Sequence, residues 1–127
     1  MQKKVVATTK APAAIGPYVQ GLQVGDFLFT SGQIPIDPAT GEIVEGGIEA
    51  QTKQALTNLA AILEEGGSSL AQTVKVTLFI KDVASFGLIN EIYAGFFGEN
   101  PPARSCVEVA RLPKDVLIEV EAIALIK

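Results

Sequence analysis

The 127-residue chain, of 13.3 kDa, carries 14 acidic against 10 basic side chains, one cysteine and no histidine. Cys106 alone permits no intrachain disulfide, CxxC redox pair or Cys-rich zinc site, and the absence of histidine excludes Ser-His-Asp and Cys-His nucleophile systems. A net charge of −4 and a pI near 4.8 supply no broad cationic field, so neither nucleic acid nor membrane is expected as a partner.

The length fits one domain spanning residues 1–127. The first ten residues hold lysines but no apolar run follows them, and Glu119 and Glu121 interrupt the apolar stretch 116–126. A soluble, cytoplasmic protein is the expectation. Residues 19–22 and 27–31 are short apolar runs separated by Gln23-Val-Gly-Asp26, the chemistry of a hairpin turn. Residues 34–41 are rich in turn formers, and their two prolines exclude a central strand. Leu56, Leu59, Ile62 and Leu63 recur at helical spacing within 48–65, with Gly66-Gly67 as the stop. Val74, Val76, Leu78 and Ile80 alternate with polar or mixed neighbours, the period of a strand. Asp82 or Ser85 is placed to cap a second helix with the stripe Phe86, Ile89, Tyr93 and Phe96, ended by Gly98 and Pro101-Pro102.

Residues 103–109 and 116–126 both read as strands, and the intervening Ala110-Arg-Leu-Pro-Lys-Asp115 suggests an antiparallel hairpin. That register sets Cys106 opposite Glu119 and Arg104 opposite Glu121. It gathers Ser105, Val107, Val109, Val116, Ile118, Val120, Ala122 and Ala124 on a face for the helices. Arg104, Cys106, Glu108, Leu117, Glu119, Glu121, Ile123 and Leu125 then share the other face. Phe27 and Phe29 are expected neighbours of that second, mixed face, which implies a homo-oligomer that covers it. The element order predicts an α+β fold in which a mixed β-sheet carries two helices on one side.

Only two arginines, Arg104 and Arg111, can offer a planar fork to an anion. Arg104 begins a rigid strand and suits a carboxylate clamp or an ion pair with Glu119 or Glu121. A carboxylate in an otherwise apolar strand needs a partner or a task, such as holding water. Cys106 reads as a small buried residue that lines a site, and Tyr18 as either packing or a hydroxyl donor. Gly46-Gly47 and Gly66-Gly67 match no phosphate-binding pattern, and residues 37–41 hold too few carboxylates for calcium. No metal or cofactor is expected.

Ala13-Ala-Ile-Gly-Pro-Tyr18, Thr30-Ser-Gly-Gln-Ile-Pro35 and the long block Pro102-Ala-Arg-Ser-Cys-Val-Glu-Val-Ala-Arg-Leu-Pro-Lys-Asp-Val-Leu-Ile-Glu-Val-Glu121 resemble the Rid family of reactive imine and enamine deaminases. The resemblance covers essentially the whole chain. It implies a chorismate-mutase-like (ferredoxin-like) homotrimer with clefts between subunits, and hydrolysis of 2-iminobutanoate and 2-iminopropanoate to 2-keto acids plus ammonia. It assigns Arg104 to the substrate carboxylate and Glu119 to the attacking water. It also implies that Tyr18 is catalytic and hydrogen-bonds the substrate, that Ser31, Gly32 and Asn90 line or bond it, and that the Cys106 backbone orients it. An imine carbon is electrophilic once its nitrogen is protonated, so position, a donor and one water suffice. A non-catalytic binder of 2-keto or amino acids is the alternative. A ribonuclease fits the acidic composition poorly, and a chorismate mutase would share only the fold.

Overall fold

The structure, a computed structural model, describes residues 2–127. In chain order it comprises β1 (Lys3–Val6), β2 (Gly21–Val24), β3 (Phe27–Thr30), β4 (Ile36–Asp37), β5 (Glu42–Ile43), α1 (Gly47–Glu65), β6 (Thr73–Ile80), α2 (Phe86–Phe97), β7 (Ala103–Glu108) and β8 (Ile118–Leu125). Short 3-10 turns lie at Leu70–Gln72, Val83–Ser85 and Pro113–Asp115. One mixed, 6-stranded sheet runs β1-β2-β3-β8-β6-β7, and β4 with β5 forms a separate small hairpin.

Helix α1 buries the expected stripe: Leu56, Leu59, Ile62 and Leu63 are fully enclosed. Its two-glycine stop has two different causes. A Cβ on Gly66 would come within 2.6 Å of Leu28, while Gly67 adopts the left-handed region at φ +84°. In β6, Val76, Leu78 and Ile80 face the helices, but a register irregularity between Thr73 and Lys75 turns Val74 outward. Asp82, not Ser85, does the capping: its carboxylate accepts from the Ala84 N–H at 2.9 Å, starting the 3-10 lead into α2. The buried stripe of α2 is Ile89, Tyr93 and Phe97, so Phe86 is exposed and Phe96 only half-buried.

The expected hairpin of the last two strands does not form. β6 lies between them, paired in parallel with β7 and antiparallel with β8. The sequence β6-α2-β7 is a βαβ unit: the helix between two strands supplies the long crossover that parallel pairing requires. The β8 faces are as expected, with Ile118, Val120, Ala122 and Ala124 buried under the helices. Those of β7 are inverted. Arg104 pairs with Val76 and Cys106 with Leu78, on the helix side, whereas Ser105 and Val107 lie exposed on the opposite side.

One-residue slippage of β8 would expose several fully buried aliphatic side chains, each contributing about 1.5–3 kcal/mol, which fixes its register. The helix-free face carries Phe27 beside Leu125 and Phe29 beside Ile123, in the neighbourhood the sequence suggests. Phe27, Phe29, Val107 and Leu125 on it are exposed. Among the described residues no helix is long and apolar enough to cross a membrane.

Candidate functional site

The site residues expected from the sequence fall into two groups on opposite faces of the sheet. The first surrounds a cavity of about 300 Å³ whose walls include Tyr18, Gly32, Gln33, Pro113, Lys114 and Glu119. Gln33 sits just past β3 and bridges Val120 through paired backbone bonds of 2.7 and 3.0 Å, which brings Gly32 against Glu119. A Cβ on Gly32 would lie 2.8 Å from the Glu119 carboxyl carbon, so only glycine leaves that carboxylate its place. Glu119 is half-buried, and burial first, then the neighbouring Glu121 charge, pushes its pKa above the usual glutamate value. Such a carboxylate holds a proton more readily than a solvated one and is a stronger base once ionised.

Tyr18 is held by a tight turn, with its N–H bonded to the Gly16 carbonyl at 2.8 Å, and its ring stays half exposed at the cavity wall. Ser31 lies beside this group, but its hydroxyl donates to the Val19 carbonyl at 2.5 Å, leaving only its lone pairs for a ligand. The loop before Tyr18 hangs on Gln20, which composition and periodicity do not single out. The buried Gln20 side chain accepts from the Thr8 N–H at 2.7 Å and donates to the Pro12 carbonyl at 2.7 Å. Asn58, also buried, reaches from α1 to the Ile34 and Ile36 carbonyls at 3.1 and 2.9 Å and fixes the far wall. A polar residue within an apolar helical stripe is the only sequence signal for it.

The second group is built on β7 and α2. Arg104 Nη1 donates to Asn90 Oδ1 at 2.8 Å, and its guanidinium carbon lies 4.7 Å from the Tyr93 ring centroid and 5.3 Å from that of Phe86. The expected alternative, an ion pair with Glu119 or Glu121, is not made: both carboxylates lie on the other face, and Arg111–Asp115 is the one ion pair among the described residues. Arg104 is therefore a half-buried cation with free donors and no acidic partner, a group that suits a ligand carboxylate.

Cys106, two residues along the same face, is half-buried. Burial pushes its thiol pKa up, against the lowering influence of Arg104. A protonated thiol is a lining group, not a nucleophile. Its backbone has a further property. The Val109 N–H donates to Ile80, so the alternation of a parallel pair turns the Arg104 and Cys106 N–H groups away from β6, to the free sheet edge.

Arg104 and Glu119 are thus not brought together within one chain. Arg104 lies in the row Arg104-Val76-Ala122 and Glu119 in the row Val107-Phe79-Glu119, so the two are separated by two strand spacings, about 10 Å, across the sheet and by three residues, about another 10 Å, along it, with their side chains on opposite faces. The single-face trio of Arg104, Cys106 and Glu119 expected from the hairpin is replaced by two separate half-sites.

Residues 8–126 match the family model described as endoribonuclease L-PSP. A RutC family protein of Pyrococcus abyssi is 60% identical over 98% of each chain. The 2-iminobutanoate/2-iminopropanoate deaminase of Salmonella typhimurium is 55% identical over 95% of this chain and 96% of its own. Among solved structures, Escherichia coli TdcF with bound serine superposes with a TM-score of 0.93 at 50% identity, over 98% of this chain and 99% of that one.

Proposed function

The chain belongs to the Rid (YjgF/RutC) family, matched over residues 8–126 and including relatives named as imine deaminases, and from that premise we propose that it hydrolyses 2-imino acids such as 2-iminobutanoate and 2-iminopropanoate. The observation that carries this reading is the unpaired, aromatic-flanked Arg104 with its remaining donors free. Its fork receives the substrate carboxylate, while the Cys106 N–H and Asn90 orient the ligand. Glu119 holds the attacking water and accepts its proton, and Tyr18 with the backbone at Gly32 bounds the imine end. Water oxygen bonds to the protonated imine carbon to give a carbinolamine; the proton held by Glu119 passes to its nitrogen, the C–N bond breaks as the hydroxyl proton is lost, and the products are one 2-keto acid and one ammonium ion. No cofactor enters the balance.

The two half-sites act together when a second copy supplies one of them. The exposed apolar face at Phe27, Phe29 and Leu125 provides a surface for that association, and a homotrimer with three intersubunit clefts satisfies both requirements. A threonine dehydratase reaction releasing free imine tests the activity. Wild type accelerates 2-ketobutyrate release, and Arg104→Ala abolishes the acceleration; equal acceleration by both proteins removes Arg104 from the mechanism.

The serine bound to the E. coli relative favours a second reading, a non-catalytic binder of small amino or keto acids. Thermal stabilisation by 2-ketobutyrate without any acceleration of imine hydrolysis would select it. The net charge of −4 gives no support to an RNA substrate.

A further inference from the structure

Phe86, Asn90 and Tyr93 are spaced four and three residues apart on α2, so one helical stripe presents two rings and an amide to the same neighbour. That neighbour is Arg104. Its guanidinium carbon stands within cation–π range of both rings, and one of its terminal nitrogens is bonded to the amide. Tyr93 is buried, packs on Phe97 at 4.4 Å between centroids, and has a hydroxyl with no hydrogen-bond partner among the described residues. What Tyr93 offers Arg104 is the face of its ring. The ring is anchored by the core and is the nearer of the two to the arginine.

We infer that Tyr93 and Phe86 are positioning residues: with Asn90 they fix the plane of the Arg104 guanidinium, so that its unbonded edge meets a substrate carboxylate already oriented. A free arginine side chain samples many rotamers and loses that freedom on binding; one held by two rings and an amide has lost it beforehand. The stripe accordingly selects a planar anion such as a carboxylate over a neutral amide of the same shape. Arg104→Lys is accordingly expected to lose this orientation, since an ammonium presents no plane for the rings to hold.

The inference rests on carboxylate binding by Arg104, so the test measures binding apart from turnover. Calorimetric titration with 2-ketobutyrate and with its neutral amide, 2-ketobutyramide, is done on wild type, Tyr93→Phe, Tyr93→Leu and Phe86→Leu, alongside kcat and KM in the imine assay. Tyr93→Phe, which keeps the ring, retains the wild-type affinity for the keto acid. Tyr93→Leu and Phe86→Leu weaken it roughly three- to tenfold, the equivalent of one cation–π contact, and raise KM more than they lower kcat. Amide affinity stays constant, which general loosening of the fold would not produce. Phe86 is exposed, so its variant guards against misfolding of the buried Tyr93 substitution.

Leucine variants that bind the keto acid like wild type, or a Tyr93→Phe variant as weak as Tyr93→Leu, overturn the inference. If wild type turns over no imine yet the binding ranking holds, the deaminase reading falls and the positioning role stands. Failure of wild type to bind 2-ketobutyrate overturns both.

Discussion

Gly32 and Glu119 share a space in which the carboxylate occupies what would be a Cβ position. The clash in Gly32→Ala is with the end of a flexible side chain, so the fold adjusts by swinging Glu119 aside. The expected outcome is a loss of imine hydrolysis by at least tenfold with a melting temperature within about 2 °C of wild type. Glu119→Gln separates charge from position. Because burial and Glu121 raise the folded-state pKa of Glu119, its proton is held more tightly folded than unfolded. Its stabilising contribution is therefore complete below the unfolded glutamate value and is lost as pH rises through the raised folded value. Glu119→Gln should melt higher than wild type at pH 7, with the gain vanishing in acid, and should be inactive. Wild-type kcat/KM should show an acid limb above the usual glutamate pKa. A limb at the ordinary value would detach Glu119 from the chemistry.

The turn before β8 illustrates what a short element contributes. Lys114 and Asp115 both take left-handed backbone angles, φ 56° and 57°, which side-chain-bearing residues seldom adopt. Leu112 and Val116, buried at either end, anchor the turn, and Arg111 grips Asp115 through two bonds of 2.6 and 3.0 Å. That hydrogen-bonded pair lowers the Asp115 pKa, so its small contribution is present above the unfolded aspartate value and fades as pH falls through the folded one. Glycine at position 114 relieves the left-handed penalty but adds chain entropy. The balance predicts a melting temperature about 2 °C higher for Lys114→Gly, measured by calorimetry. A drop would mean that the lysine side chain itself holds the cavity wall. None of this strain is visible in Leu-Pro-Lys-Asp read as letters, where proline merely signals a turn.

At the scale of the molecule, the two half-sites lead to a subunit-mixing experiment. If Arg104 of one copy meets Glu119 of another, inactive Arg104→Ala and Glu119→Gln proteins, unfolded together and refolded at equal amounts, recover about a quarter of wild-type activity, because random assembly pairs an intact residue of each kind that often. If both residues act within one chain, no activity returns. The same geometry predicts that a charge placed in the apolar face, Phe29→Glu, lowers both oligomeric mass by light scattering and activity.

The sequence alone was sufficient for α1, for the alternation of β6 from Val76 to Ile80 and for the inward face of β8. Each of these depends on neighbours within a few residues: helical or alternating spacing, caps and residue types. The motif around Arg104 likewise singled out the candidate residues one by one. The partner of β7 was decided elsewhere. Both flanks of β6 could accept a strand, and a plausible turn between β7 and β8 outweighed the βαβ crossover in a local reading. Only the assembled sheet, in which α2 returns the chain to the far edge of β6, sets Arg104 beneath Tyr93 and away from Glu119. Side-chain direction alternates residue by residue, so the identity of one neighbouring strand determined which of the candidate residues lie on one face.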